Sequence, residues 1–510
     1  MSDTTLSNKR IAKNTLLLYF RMLFMMLVSL YTSRIVLSTL GVTDFGIYGV
    51  VGGIVSMFTF MNSAMSTGTQ RFLTYELGRG DSRQLEKVFS MSLNIHLLLA
   101  VVILLLAETV GLWFFYEKMV IPADRVTATL VVYQLSILVA LVMILSVPYN
   151  AVIIAHEKMS AFAYISIFEG LAKLLIVYVL LIAPYDRLIL YAILMLAVQL
   201  TVRFIYGFYC KKHFPESVYH WSFDRQLFKE MMSFSGWNFW GNCAAMAFTQ
   251  GLNILLNMFF GPVVNAARTV AVQVQGAIFQ FSSNFQVALN PQITKSYAQG
   301  DWKYMHSLIF RSSKFTYLLL FLLSLPVFLK VEYILALWLK EVPEYSAIFL
   351  RLILCVTIVD AVANPFMTAA SATGRVKKYQ TVVGAILLAI LPISYVVLKL
   401  GGAPYSVFIV HLTIAVIAFV VRLFVVRPLI NLSVKDYVRQ VLLPLFAFTL
   451  VGVIPASCYT YYSDNSFASL VLVVLLNIGS TLLFGYFLAL TKSEKAFVCQ
   501  KVRSILHLQR

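Results

Sequence analysis

Apolar runs of roughly twenty residues alternate with short polar connections along the whole chain, and each is long enough to cross a bilayer as a helix. They predict fourteen spans, at 14–37, 45–70, 88–115, 126–154, 160–182, 187–209, 233–260, 263–290, 307–330, 345–370, 380–400, 404–426, 440–461 and 466–490. An outer-membrane barrel is excluded, because its strands are about ten residues long and alternate in polarity. The expected fold class is an all-α polytopic membrane protein.

A second pattern lies over the first. A glycine-rich apolar run opens at Gly41 and passes Gly46, Gly49, Gly52 and Gly53. It closes in the polar string Asn62, Ser63, Ser66, Thr67, Thr69, Gln70 and Arg71, then reaches Gly80-Asp81. At a spacing of 220 residues, Gly261 matches Gly41, Val270 matches Val50, Ser283 matches Ser63 and Thr294 matches Thr74. Gly300-Asp301 then matches Gly80-Asp81, and the basic residue beyond returns as Arg83 and Lys303. Farther on the spacing becomes 217, with Pro148, Ala155 and Lys158 answered by Pro365, Ala372 and Arg375. A period this long does not belong to a solenoid. It fits the internal halves of a transporter.

The expected organisation is an N-terminal lobe at 1–210, an amphipathic linker at 211–232, a C-terminal lobe at 233–426, two appended spans within 427–490 and a basic tail at 491–510. Six spans per half give both halves one orientation, with a pseudo-twofold axis along the membrane normal. In the linker, Asp224 is positioned to cap a short helix with Leu227, Phe228 and Met231 on one side. The tail reads as an interfacial helix, with Phe497, Val498, Val502, Ile505 and Leu506 on its apolar side. Pro148, Pro326, Pro365, Pro392 and Pro444 are expected to end or kink their spans.

Composition changes the picture in one respect. The chain is 60% hydrophobic and 12% charged, yet carries a formal net charge of +18. With the N-terminus in the cytosol, 25 of the 40 Lys and Arg residues fall in cytosolic segments, six in outer loops and nine within spans. That bias orients the chain in a plasma membrane with both termini cytosolic, and accounts for the basicity without nucleic acid. The five cysteines are scattered and form no CxxC, so no disulfide framework or metal site is expected.

Charged groups inside spans cost about 2.5–3.5 kcal/mol each on insertion scales, which makes them candidates for chemistry. Arg203, Arg351 and Arg422 lie near span ends and are expected to snorkel. Glu169 and Lys173 are four apart, placed either to neutralise each other or to line a cavity. Glu108 and Asp360 are candidate proton or sodium sites, or else partners for a structural arginine. Arg34 and Arg268 lie about two turns inside the outer boundary, one in each half. Arg268 heads a stripe at helical spacing, with Asn265, Gln275, Ser282 and Gln286, which Gln273, Gln280 and Asn284 widen. Such a face must meet water, a substrate or a polar neighbour, because unpaired amides are costly in hydrocarbon. Asn62, Ser63, Ser66 and Gln70 form a weaker counterpart in the second span. Arginines converging with amides suit an anion, since guanidinium forks bind phosphate bidentately.

There is no GxxxxGK[ST] loop, HExxH, GxSxG or CxxC, so ATP drive, metalloprotease and hydrolase chemistry find no support and no cofactor is implied. The outer loops are too short to hold a catalytic domain, which argues against a membrane polymerase or glycosyltransferase.

The runs Tyr31-Thr32-Ser33-Arg34 and Leu40-Gly41-Val42-Thr43-Asp44-Phe45-Gly46-Ile47-Tyr48 resemble the opening of bacterial polysaccharide-export flippases. These belong to the multidrug/oligosaccharidyl-lipid/polysaccharide (MOP) exporter superfamily, which also includes the MATE drug exporters. Thr69-Gln70-Arg71-Phe72, Phe234-Ser235-Gly236-Trp237-Asn238 and the segment from Pro148 to Lys158 are similar to that group as well. The resemblance implies two six-helix lobes around a central cavity that opens alternately to either side. The implied cargo is an undecaprenyl-diphosphate-linked oligosaccharide for O-antigen (lipopolysaccharide), capsule or exopolysaccharide, with polymerase or other assembly proteins as potential partners. Under it Arg34 and Arg268 would meet the diphosphate, Arg21 would capture it on the inner side, and the amides would contact sugar. The last two spans would help house the polyprenyl tail. The rival within the superfamily is a multidrug/cation antiporter.

Overall fold

In the computed structural model, every regular element among the described residues is helical. The structure describes residues 3–118, 121–182, 184–339, 342–491 and 494–496; the tail from 497 lies outside them. Within the first helix, the side chains of residues 3–13 and of several positions between 30 and 63, Arg34 among them, also lie outside the description.

The first two expected spans form one element, α1 (Asp3–Arg79), interrupted only at Gly41 with φ 78° and ψ 168°. A residue with a Cβ resists that positive φ, so glycine is the residue that lets the chain reverse without a loop. Side chains of the first unit pin this reversal. Arg187 donates to the Thr39 carbonyl at 3.1 Å, and Arg125 donates to Asp44 at 2.9 Å and to Asp186 at 2.6 Å. The expected outer loop is therefore a kink.

The chain continues through α2 (Ser82–Glu117), α3 (Ala123–Ala155), α4 (Met159–Ile182), α5 (Arg187–His213), α6 (Arg225–Phe260) and α7 (Pro262–Ala298). Then follow α8 (Trp302–Leu329), α9 (Ser346–Thr373), α10 (Lys377–Lys399), α11 (Ser406–Ile430), α12 (Val434–Tyr462) and α13 (Phe467–Ala489). Eleven of these helices, all but α1 and α7, are long and apolar enough to cross a membrane. The two arms of α1 and the polar α7 lie where the other three of the fourteen spans are expected. The protein is a multi-pass membrane protein.

Exposure along α5 shows the membrane pattern. Ile193, Leu200, Phe204 and Phe208 face outward, while Gln199, Tyr206 and Cys210 turn into the protein. Pro148 and Pro365 do not end their helices, which run on to Ala155 and Thr373. No separate amphipathic helix precedes the seventh span. Asp224 caps α6 directly, accepting from the Gln226 and Leu227 N–H groups at 2.9 and 3.1 Å. Nothing between Met232 and Ser233 breaks the helix, so the amphipathic turns become its first turns.

The chain forms two compact units, one of Met1–Phe239 with Tyr297–Gln299, the other of Trp240–Ser296 with Gly300–Arg510. In the first, α3 is central and packs against α1, α2 and α5. Val132, Tyr133, Ile137 and Ala140 meet Ile47, Val51, Phe115, Leu188 and Ala192 in its core. In the second, α9 is central, packed against α8 and α11. There Phe349, Leu350 and Ile353 meet Leu256, Ala271, Ile390 and Phe408. The small residues among them let helix backbones approach closely.

Backbone detail repeats between the units. Gly41 and Gly261 both have φ 78°, and Gly80 and Gly300 have φ 75° and 71°. Asp81 and Asp301 each cap a helix by accepting the N–H three residues on, both at 3.0 Å.

The last two helices, with the loop between them and the segment after them, are fastened to α8 along its length. Lys314 pairs with Glu494 at 2.5 Å, Tyr317 meets Thr449 at 2.5 Å, and Asn477 donates to the Leu322 carbonyl at 2.8 Å. Farther along, buried Lys330 donates to Ser463 and to the Asp464 carbonyl at 2.9 and 2.8 Å.

Candidate functional site

In the second unit the α7 stripe divides. Arg268, Ser282 and Asn284 are buried, and Gln275 donates to Thr357 on α9 at 2.9 Å. Asn284 donates to the Gln280 carbonyl one turn back at 2.9 Å. Asn265 is half-buried, with its side-chain oxygen enclosed and unpaired. Gln273 and Gln280 are exposed, on a face that also carries Ala266, Thr269, Gly276 and Ala277.

Arg268 does not stand open to a ligand. It donates to the side-chain oxygen of Asn253 and, at 3.0 Å, to the Thr249 carbonyl, both on α6. Its Nε is enclosed without an acceptor. Asn253 in turn donates its amide to the Gln250 oxygen at 3.0 Å. The buried cation thus orders two amides in series. Asn253 must offer its oxygen to Arg268 and its NH2 to Gln250, which leaves the Gln250 NH2 as a donor at the surface. Gln250 and Asn257 are exposed on α6, as Thr269, Gln273 and Gln280 are on α7.

The sequence reading missed Gln250, Asn253 and Asn257. Their spacing of three and four along one helix face is the signal that identifies them. Exposed amides along these two helices contrast with the Leu, Ile, Val and Phe side chains exposed elsewhere on the spans. An amide without a partner in hydrocarbon costs several kcal/mol, so this face meets water or a polar ligand.

In the first unit, Glu169 and Lys173 form the ion pair, at 2.6 Å, and Gln199 donates to Glu169 at 3.0 Å. Arg21 lies over the Phe162 ring, 4.4 Å from its centroid, within electrostatic reach of Glu169 and Tyr206. Its Nε is enclosed without an acceptor. The Asn62 side-chain oxygen is likewise enclosed and unpaired, and Gln70 is half-buried. Arg34 falls outside the described side chains.

Glu108 accepts from Gln134 at 3.2 Å, on the π-helical turn Ala107–Gly111 of α2. Among the described residues its partner is therefore an amide and not an arginine. Asp360 pairs with Arg422 at 3.3 Å, and His411 lies within electrostatic reach of Asp360 and Arg268.

The three arginines near span ends each have a partner within the protein. Arg203 lies 3.8 Å over the Tyr149 ring, Arg351 pairs with Glu332 at 2.9 Å, and Arg422 holds Asp360. Among the described residues no cluster of His, Cys, Asp and Glu could hold a metal ion.

Residues 11–297 match the family model for polysaccharide biosynthesis proteins, more than half of the chain. The chain belongs to this family. It is thereby a member of the MOP exporter superfamily, and its relatives are transporters.

Solved structures agree on the fold of this polysaccharide biosynthesis family member. A MATE structure in the bent conformation superposes with a TM-score of 0.72 at 12% identity, over 83% of this chain and 96% of that one. An outward-facing multidrug resistance MATE transporter of the MOP superfamily gives 0.71 at 14% identity, over 83% and 96%. The MATE transporter ClbM in complex with Rb+ gives 0.71 at 14%, over 84% and 96%. Identities this low speak for the fold alone. None of the curated proteins compared with this sequence matches it.

Proposed function

We infer that this family member is a flippase that moves a prenyl-diphosphate-linked oligosaccharide across the bacterial inner membrane by alternating access, with both termini in the cytosol. The carrying observation is the exposed amide face of α6 and α7, whose Gln250 donor is fixed from behind by Asn253 and Arg268. A row of amides offers both donors and acceptors, as sugar hydroxyls require, whereas a lipophilic drug would be better matched by aromatic and aliphatic side chains. The family model, drawn from polysaccharide biosynthesis proteins, supports the same cargo class.

In this reading Arg21 captures the diphosphate on the inner side and Arg34 receives it in a separate step, and Arg268 orders the sugar-facing amides without touching the cargo. The Glu169–Lys173 pair and the Asp360–Arg422 pair are candidates for coupling, since each joins two helices of one unit or screens a neighbouring arginine. The multidrug/cation antiporter of the same superfamily is the second reading, supported by the MATE fold.

Deleting the gene and identifying the lipid-linked species that accumulates separates them. A flippase predicts a prenyl-diphosphate oligosaccharide retained in the inner leaflet and a loss of surface glycan. An antiporter predicts neither, with heightened drug sensitivity instead.

A further inference from the structure

The connection between α5 and α6 is a folded element with an unusual surface. Six consecutive residues, Val218 to Phe223, are exposed, with Trp221 at 86% and Phe223 at 62%. Their exposure is enforced by the backbone on both sides. Ser90 of α2 accepts the His220 N–H at 3.1 Å, and Asn94 donates to the Ser222 carbonyl at 3.3 Å. Asn94 also accepts the Tyr219 hydroxyl at 2.9 Å. At the near end Glu216 pairs with His156, whose ring stacks on Phe214 at 4.2 Å, and at the far end Asp224 caps α6.

Two further observations say what covers this surface. The first is depth. The loop is tied to α2 at Ser90 and Asn94, and the exposed apolar surface of α2 begins at Leu97 and Leu98, about 5 Å farther along the axis. The aromatic side chains therefore stand at the level where the apolar belt starts, where Trp and Tyr settle in bilayers. The second is charge. Lys211, Lys212, Arg225 and Lys229 are exposed on either side of the loop. The acids nearby are engaged, with Glu216 buried against His156, Asp224 capping α6 and Glu230 accepting from Gln226 at 3.0 Å.

We propose that this loop is a binding surface for anionic phospholipid headgroups, with Trp221 and Phe223 seated in the bilayer interface and Lys211, Lys212 and Arg225 meeting the phosphates. It holds the first unit's α5–α6 end in a charged leaflet, whatever the transported cargo. Each basic residue near such a surface adds an attraction that falls off within a Debye length, so the effect is sensitive to salt.

The test uses the full-length protein in nanodiscs whose lipids carry brominated acyl chains, either phosphatidylcholine alone or phosphatidylcholine with phosphatidylglycerol. Subtracting the emission of Trp221→Phe isolates the Trp221 signal. The expected result is quenching of that signal, stronger with phosphatidylglycerol. The difference between the two lipids should vanish in the Lys211→Gln/Lys212→Gln/Arg225→Gln variant, with an unchanged melting temperature. An unquenched Trp221 signal in both lipids would place the loop in water and overturn the proposal. Equal quenching in both lipids would remove the headgroup charge from it, with the same consequence.

Discussion

Arg268 on α7 donates to the side-chain oxygen of Asn253 on α6, and Asn253 passes its own amide to Gln250 at 3.0 Å. The guanidinium is buried, so its positive charge is felt at the surface through amides and not as an open anion site. Removing it leaves Asn253 and the Thr249 carbonyl without their donor. Arg268→Ala is expected to destabilise the second unit by about 1–3 kcal/mol. Once it is made, Asn253→Ala should add little, because the two act through one interaction. Melting temperatures of the single and double variants check this; additive losses would separate the two residues.

Gln273 and Gln280 face outward from α7. In a background with the native cysteines replaced, Gln273→Cys and Gln280→Cys should react with a membrane-impermeant charged thiol reagent. Leu200→Cys, on the outward apolar face of α5, should react only with a lipophilic maleimide. Labelling rates in intact and inverted vesicles provide the measurement.

The Lys314–Glu494 pair secures the segment after α13 to α8, with the two side chains 1% and 5% exposed. Replacing one partner leaves a buried charge, so Lys314→Met is expected to cost about 3–5 kcal/mol, and Lys314→Met/Glu494→Leu much less. Burial alone would raise the Glu494 carboxyl, but its bond to Lys314 holds it below the usual carboxylate range. Its contribution is therefore complete above the ordinary value of about 4.3 and is lost as pH falls through the depressed folded value. Glu494→Gln should abolish that part of the acid sensitivity, as read from melting temperature against pH.

Gly41 and Gly261 share φ 78°. Open space surrounds the Cβ position of each, so an alanine there meets backbone strain alone. Gly41→Ala and Gly261→Ala should each cost about 1–2 kcal/mol. A neutral result at either position, by thermal unfolding, would show that the reversal does not depend on glycine.

The fold was legible in the sequence because hydrocarbon imposes one solution on a long apolar run, and because Gly41, Gly80 and Asp81 recur 220 residues on in positions that need their backbone properties. The helix-capping role of Asp224 was legible for the same local reason. Apart from the Glu169–Lys173 pair, four residues apart on one helix, the partners of the charged residues were not. Arg422 and Asp360 are 62 residues apart, and Arg203 and Tyr149 are 54 apart, so their meeting follows from helix packing that no local pattern encodes. Arg268 stood out in the sequence as a charge inside a span, yet its acceptor Asn253 lies on the preceding helix, beyond the reach of a periodicity argument confined to α7.

The most direct test of the account is translocation by the purified protein in liposomes carrying a fluorescent prenyl-diphosphate oligosaccharide, with outer-leaflet label read by an impermeant quencher. The account predicts protein-dependent equilibration between leaflets, reduced in Arg21→Ala and in Gln250→Ala/Gln273→Ala variants that keep the wild-type melting temperature. Absence of translocation by the wild-type protein, together with cation-driven movement of a lipophilic drug in the same vesicles, would contradict it.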